Sequence, residues 1–84
     1  MVTESPRTMP SVDELLDQAD RLSTDADLMD GYAGRLRATA SALSGCPAAP
    51  ERSGSTLEQQ AAACSTAAEQ LRTAAEALLA LARP

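Results

Sequence analysis

Apolar residues recur along this chain in two long runs of alternating four- and three-residue steps. The first run is Leu15, Ala19, Leu22, Ala26, Met29, Ala33, Leu36, Ala40 and Leu43. The second is Leu57, Ala61, Cys64, Ala68, Leu71, Ala75, Leu78 and Ala82. Steps of four and three keep side chains on one stripe of an α-helix, so each run is a heptad seam. Large and small residues alternate within each seam. Two such stripes facing each other in opposite directions let the leucines of one helix lie over the alanines of the other, with the axes close together. The pattern predicts an all-α fold, an antiparallel two-helix hairpin with a Leu/Ala heptad seam.

Local signals set the expected boundaries. Ser11-Val12-Asp13-Glu14 reads as a capping box, with Asp13 and Glu14 also suited to the positive end of a helix dipole. Ser44-Gly45-Cys46-Pro47 reads as a stop, with Gly45 free to take a left-handed cap and Pro47 barring continuation. Ser55-Thr56-Leu57-Glu58 reads as a second capping box. The expected organisation is a flexible arm over 1–11, a helix over 12–44, a loop over 45–55 and a helix over 56–82. Gly31 and Gly34 weaken the first helix, either leaving it continuous or kinking it near Asp30-Gly31, and Ser23-Thr24-Asp25 is a possible internal cap.

Beyond its seam the second helix carries Ala62, Ala63, Ala67, Ala74, Ala77, Leu79, Ala80 and Leu81. Part of this is alanine's helix propensity. Leu79 and Leu81 go further, although Met9, Val12 and Leu16 can cover some of them. A helix apolar on more than one face is buried on more than one face. Assembly into a four-helix bundle, with a second copy or another hairpin, is therefore expected. Leu71, Leu78, Leu79 and Leu81 are the expected interface residues.

Composition sharpens this picture. The 84 residues include eleven Leu and eighteen Ala but no Ile, Phe or Trp, and Tyr32 is the single aromatic. So short a chain with so few large apolar side chains is marginal alone. All seven basic residues are Arg, which together with the alanine content is the signature of a GC-rich genome such as an actinobacterial one. The net charge of −5 argues against nucleic acid or an anionic membrane as partner. Met1 to Ser11 is polar with two prolines and cannot form the apolar core of a signal peptide. The expected location is cytoplasmic, or outside the cell by a route that needs no cleaved signal.

Little chemistry is on offer. Without His or Lys the common general bases, Schiff-base formers and metal nitrogens are missing, and there is no Gly-rich phosphate loop. No enzyme activity, cofactor or metal is expected. Asp13, Asp20 and Asp27 recur every seven residues on one stripe. That spacing puts neighbouring carboxylates about 10 Å apart, too far to share one ion. The stripe is either a solvated face or a docking surface for a basic partner. Cys46 and Cys64 form a disulfide only if the loop folds back along the second helix; otherwise Cys64 is an inert seam residue and Cys46 a free thiol, or the bridge is intermolecular.

A signal-less, actinobacterial-looking chain of two antiparallel helices, with the second reading Ala61-Ala62-Ala63-Cys64-Ser65-Thr66-Ala67-Ala68-Glu69-Gln70-Leu71-Arg72, resembles the Trp-X-Gly helical hairpins of type VII secretion. The resemblance covers the architecture of 12–82. Where that family carries Trp-X-Gly, this chain has Ser44-Gly45-Cys46-Pro47. Its only Tyr, Tyr32, stands in the first helix and is followed four residues later by Leu36 instead of an acidic residue, so no signal residue carries over. The resemblance implies a secreted partner or targeting adaptor that pairs with another hairpin. The alternatives are a cytoplasmic homodimeric regulator with an acidic docking face, or an assembly component of a larger particle.

Overall fold

A computed structural model describes residues 9–83. Most of the expected arm, residues 1–8, lies outside the described residues. Two helices are joined by a short loop: α1, Val12–Ser44, and α2, Ser53–Ala82. Arg37 reaches Glu58 near the loop, while Arg72 reaches Asp27 and Asp30 further from it. Sequence separation grows away from the loop, as it must in an antiparallel pair.

The capping box at Ser11 forms in full. The Glu14 N–H donates to Ser11 Oγ at 3.1 Å and the Ser11 N–H donates to Glu14 Oε1 at 2.8 Å. From there α1 runs without interruption through Ser23-Thr24-Asp25, Gly31 and Gly34. Neither glycine interrupts the helix or marks a close approach of another segment, since a methyl group added at either meets only open space.

Two boundary expectations are corrected. Gly45 is not left-handed: its φ is −98°. The chain leaves α1 through a tight turn in which the Cys46 N–H donates to Leu43 O at 2.9 Å, and Pro47 follows at once. The second helix starts at Ser53, three residues before the expected start at 56. Turns at Cys46–Ala49 and Pro50–Ser53 carry the chain straight into helical geometry, with Arg52 as an N-cap that makes no side-chain bond. Ser55 is therefore already inside the first turn, and its hydroxyl donates to Arg52 O instead of capping.

Every seam position is buried or half-buried, and the two rows differ sharply. The alanines at 19, 26, 33, 40, 61, 68, 75 and 82 are at most 7% exposed. Of the large seam residues only Leu15 is fully buried; Leu22, Met29, Leu36, Leu43, Leu57, Leu71 and Leu78 are half-open. The alanines form the inner contact because their size lets the backbones close. The leucines cannot fit between axes so near and line one edge of the contact. A buried methyl contributes about 0.8 kcal/mol and a fully buried leucine roughly 1.5–3 kcal/mol. Much of the available hydrophobic gain is thus left in the half-open row. The radius of gyration, 19.5 Å, against about 12 Å for a compact chain of this length, reflects the same lack of a second layer. No helix of the described residues is long and apolar enough to cross a membrane.

Two stability outcomes follow from this packing. Ala68→Leu should drive the helices apart and lower the unfolding free energy by about 1–3 kcal/mol in a urea titration. Gly31→Ala and Gly34→Ala, both free of any clash, should each raise it by about 1 kcal/mol.

Candidate interaction surfaces

A two-helix ribbon has two broad faces. With about 100° of rotation per residue, the residues just beyond the alanine row come up on one face and those just beyond the leucine row on the other. The cross-helix contacts identify them.

On the first face, α1 presents Leu16, Ser23, Asp30 and Arg37, and α2 presents Glu58, Ser65, Arg72 and Leu79. These meet across the hairpin as a ladder. Arg72 donates to both Asp27 and Asp30 at 2.8 Å. Arg37 lies 3.9 Å from Glu58 and donates to Ser65 Oγ at 3.4 Å. Leu16, Ser23 and Leu79 line one shallow groove. The Arg72 guanidinium is held above its usual pKa, first by its hydrogen bond to Asp30 and then by that to Asp27. Arginine is fully charged around neutrality with or without this shift, so raising its pKa gives the contact no pH dependence there. Carboxylates dominate the face. Asp13, Asp20, Asp27, Asp30, Glu58, Glu69 and Glu76 stand against Arg37, Arg72 and Arg83, leaving a net of −4.

The opposite face carries the leucine row. Leu15 and Leu78 share a groove there with Met9, Pro10, Glu14 and Gln18 at the open end of the hairpin. Leu43 and Leu57 share another with Pro50, Arg52, Ser53 and Thr56 at the loop end. Between them lie Leu22, Met29, Leu36, Cys64 and Leu71. Leu28, Tyr32 and Leu81 stand beside the row, 51%, 42% and 61% exposed. On this face α2 contributes Thr56, Gln60, Ala63, Ala67, Gln70, Ala74, Ala77 and Leu81, with no charge among them. On this face α1 carries Glu14 and Asp25 against Arg21 and Arg35, which cancel, and Arg52 adds one positive charge at the loop end. One broad face is thus acidic and cross-linked by ion pairs, the other leucine-rich, open and with little net charge.

The expected site residues divide between these faces. Leu71, Leu78 and Leu81 are together on the leucine face. Leu79 is not with them: it is rotated about 100° from Leu78 and sits on the acidic face with Leu16, Ala19, Asp20 and Ser23. Asp13, Asp20 and Asp27 share the acidic face and are all exposed, but Asp27 is already committed to Arg72. No group of three or more potential metal ligands gathers among the described residues. Leu28 and Tyr32 were not among the expected interface residues. The charge-free stripe of α2, offset by one residue from its seam, was the sequence signal that pointed to their face.

Both cysteines are free thiols, Cys46 exposed and Cys64 half-buried. Cys46 borders Ser53, Gly54 and Ser55 at the start of α2. Cys64 lies nine residues beyond Ser55, about 14 Å further along the helix. The loop does not fold back to close that gap, which is well beyond the roughly 7 Å between Cα atoms that a disulfide spans.

Comparison with protein-family models, with curated proteins and with solved structures gave no match. The two faces must therefore carry the functional argument.

Cys46 should react rapidly with a thiol reagent in the native protein and Cys64 at least about tenfold more slowly, measured on the Cys64→Ser and Cys46→Ser variants separately. Equal rates would mean that the seam around Cys64 is open.

Proposed function

We propose that this chain is a non-catalytic protein-binding hairpin whose working surface is the leucine face. A second hairpin seated there completes a four-helix bundle. The observation that carries this reading is the row of half-open leucines flanked by Leu28, Tyr32 and Leu81 on a face with little net charge. A contiguous apolar patch of this kind is characteristic of an interaction site. Within this class, a place in type VII-like export as substrate, partner or targeting adaptor follows from the architectural resemblance alone.

A second reading is favoured by a different observation. Asp13 and Asp20 are exposed and make no ion pair among the described residues. They suit a regulator that captures a basic partner on the acidic face, with salt-sensitive binding.

Paired variants separate the two. Leu28→Glu with Leu81→Glu changes only exposed positions of the leucine face, so the hairpin should keep its helical circular dichroism. Association, read as mass in solution and as protection of the Cys64 thiol, should be lost. Asp13→Asn with Asp20→Asn should leave both readouts unchanged. Association that survives the leucine variants and fails in the aspartate variants would transfer the function to the acidic face.

A further inference from the structure

The four charges that α1 places on the leucine face are not equivalent. Glu14 is committed to the helix cap through Ser11. Arg21 is committed to Asp17, 3.2 Å away on the same helix. Asp25 makes no ion pair among the described residues. Arg35 stacks its guanidinium over the Tyr32 ring, 5.3 Å from the centroid, and has no carboxylate partner among them. One anion and one cation therefore remain uncommitted over the middle of the face, ten residues apart on α1, with Arg52 set apart from them at the loop end. Covering the face with an uncharged surface would desolvate both without compensation.

We propose that a second copy of this chain covers the leucine face, with its α1 lying antiparallel on this α1. Asp25 then pairs with Arg35 of the partner subunit, and by symmetry Arg35 pairs with Asp25 of the partner subunit. This deepens the leucine-face reading above and rests on it. The argument for a second copy is that the face is self-complementary. A two-fold axis passing near Met29–Asp30 brings Asp25 level with Arg35 of the partner subunit and Leu28 level with Tyr32 of the partner subunit. The same axis sets Leu22 close to Leu36 of the partner subunit. The other way to stack two copies lays α1 on the partner's α2. That helix offers no charge on this face, so Asp25 and Arg35 would be buried unpaired, and the carboxylate-rich first halves of both α1 helices would share one end of the bundle. The antiparallel α1–α1 arrangement places each carboxylate-rich end against the loop end of the other copy. Its α2–α2 contact is made of Ala63, Ala67, Gln70, Ala74 and Ala77 and needs no charge partner. The face is about 45 Å long and about 20 Å wide, roughly 900 Å² per copy, which matches the roughly 800 Å² per partner of stable interfaces.

The test is charge reversal on the full chain, read as the dimer dissociation constant by sedimentation equilibrium. The wild type should be a dimer. Asp25→Arg and Arg35→Asp should each weaken it by about tenfold or more, since each removes two symmetry-related pairs and creates like-charge contacts. The double variant Asp25→Arg/Arg35→Asp should recover affinity to within about threefold of wild type. Asp13→Arg, on the acidic face, should have no such effect. A wild type that stays monomeric across the accessible range overturns the second-copy proposal. So does a dimer whose affinity ignores the single reversals, or whose double variant is not rescued. The outcome for Leu28→Glu/Leu81→Glu in the same series tells the two claims apart. If it abolishes a dimer that ignores the charge reversals, the leucine face stands and this arrangement falls. If it too leaves the dimer intact, both fall.

Discussion

The close approach of two alanine rows is the constraint from which the other features of this hairpin derive. Each helix sets a methyl group at every inner seam position, and the backbones come together until those methyls are excluded from solvent. At that separation no leucine fits between the axes. The large side chains are displaced to one side and stay half-open, so the hairpin acquires a face that two helices cannot close. A domain is normally finished by a second layer packed on the first. The described residues form one such layer.

Charge follows the same division. On the alanine side the neighbouring positions are filled by Asp30, Arg37, Glu58 and Arg72, which bridge the helices and screen the inner row. These exposed pairs add modestly to stability; their larger effect is to make that face hydrophilic and so unsuited to burial. The leucine side receives almost none of the net charge. Asp25 and Arg35 are the charges near its middle left unpaired among the described residues, and their opposite signs give the face a polarity along its length that a purely apolar stripe would lack. Such polarity fixes register and orientation more than it adds affinity.

Much of the fold was legible in the sequence because it depends on repetition. Seventeen seam positions read from spacing alone are all buried or half-buried, and the Ser11 capping box and the limits of α1 appear as the local chemistry requires. Single-residue judgements fared less well where neighbours decided the outcome. Gly45 had the freedom to be left-handed but not the need, because the turn at Cys46 already satisfies Leu43 O. Ser55 had the sequence of a cap, but the preceding turns were themselves helical enough to start α2 at Ser53. The leucine face was half legible. The apolar excess of the second helix drew attention to Leu71, Leu78 and Leu81, which lie together on it. Grouping Leu79 with them ignored helical phase, which sends it to the acidic face. The contribution of Leu28 and Tyr32 was hidden because neither sits on the seam of α1. Only pairing the two helices reveals which off-seam stripe of α1 adjoins the charge-free stripe of α2.

The central claim, that the hairpin carries an unfinished face completed by another copy of itself, is tested most directly by the thermal unfolding midpoint as a function of chain concentration. Far-UV circular dichroism from the low micromolar to the high micromolar range would suffice. Coupling of folding to association predicts a midpoint that climbs steadily with concentration. A midpoint independent of concentration would mean that each hairpin is stabilised by its alanine seam alone, and would contradict the claim.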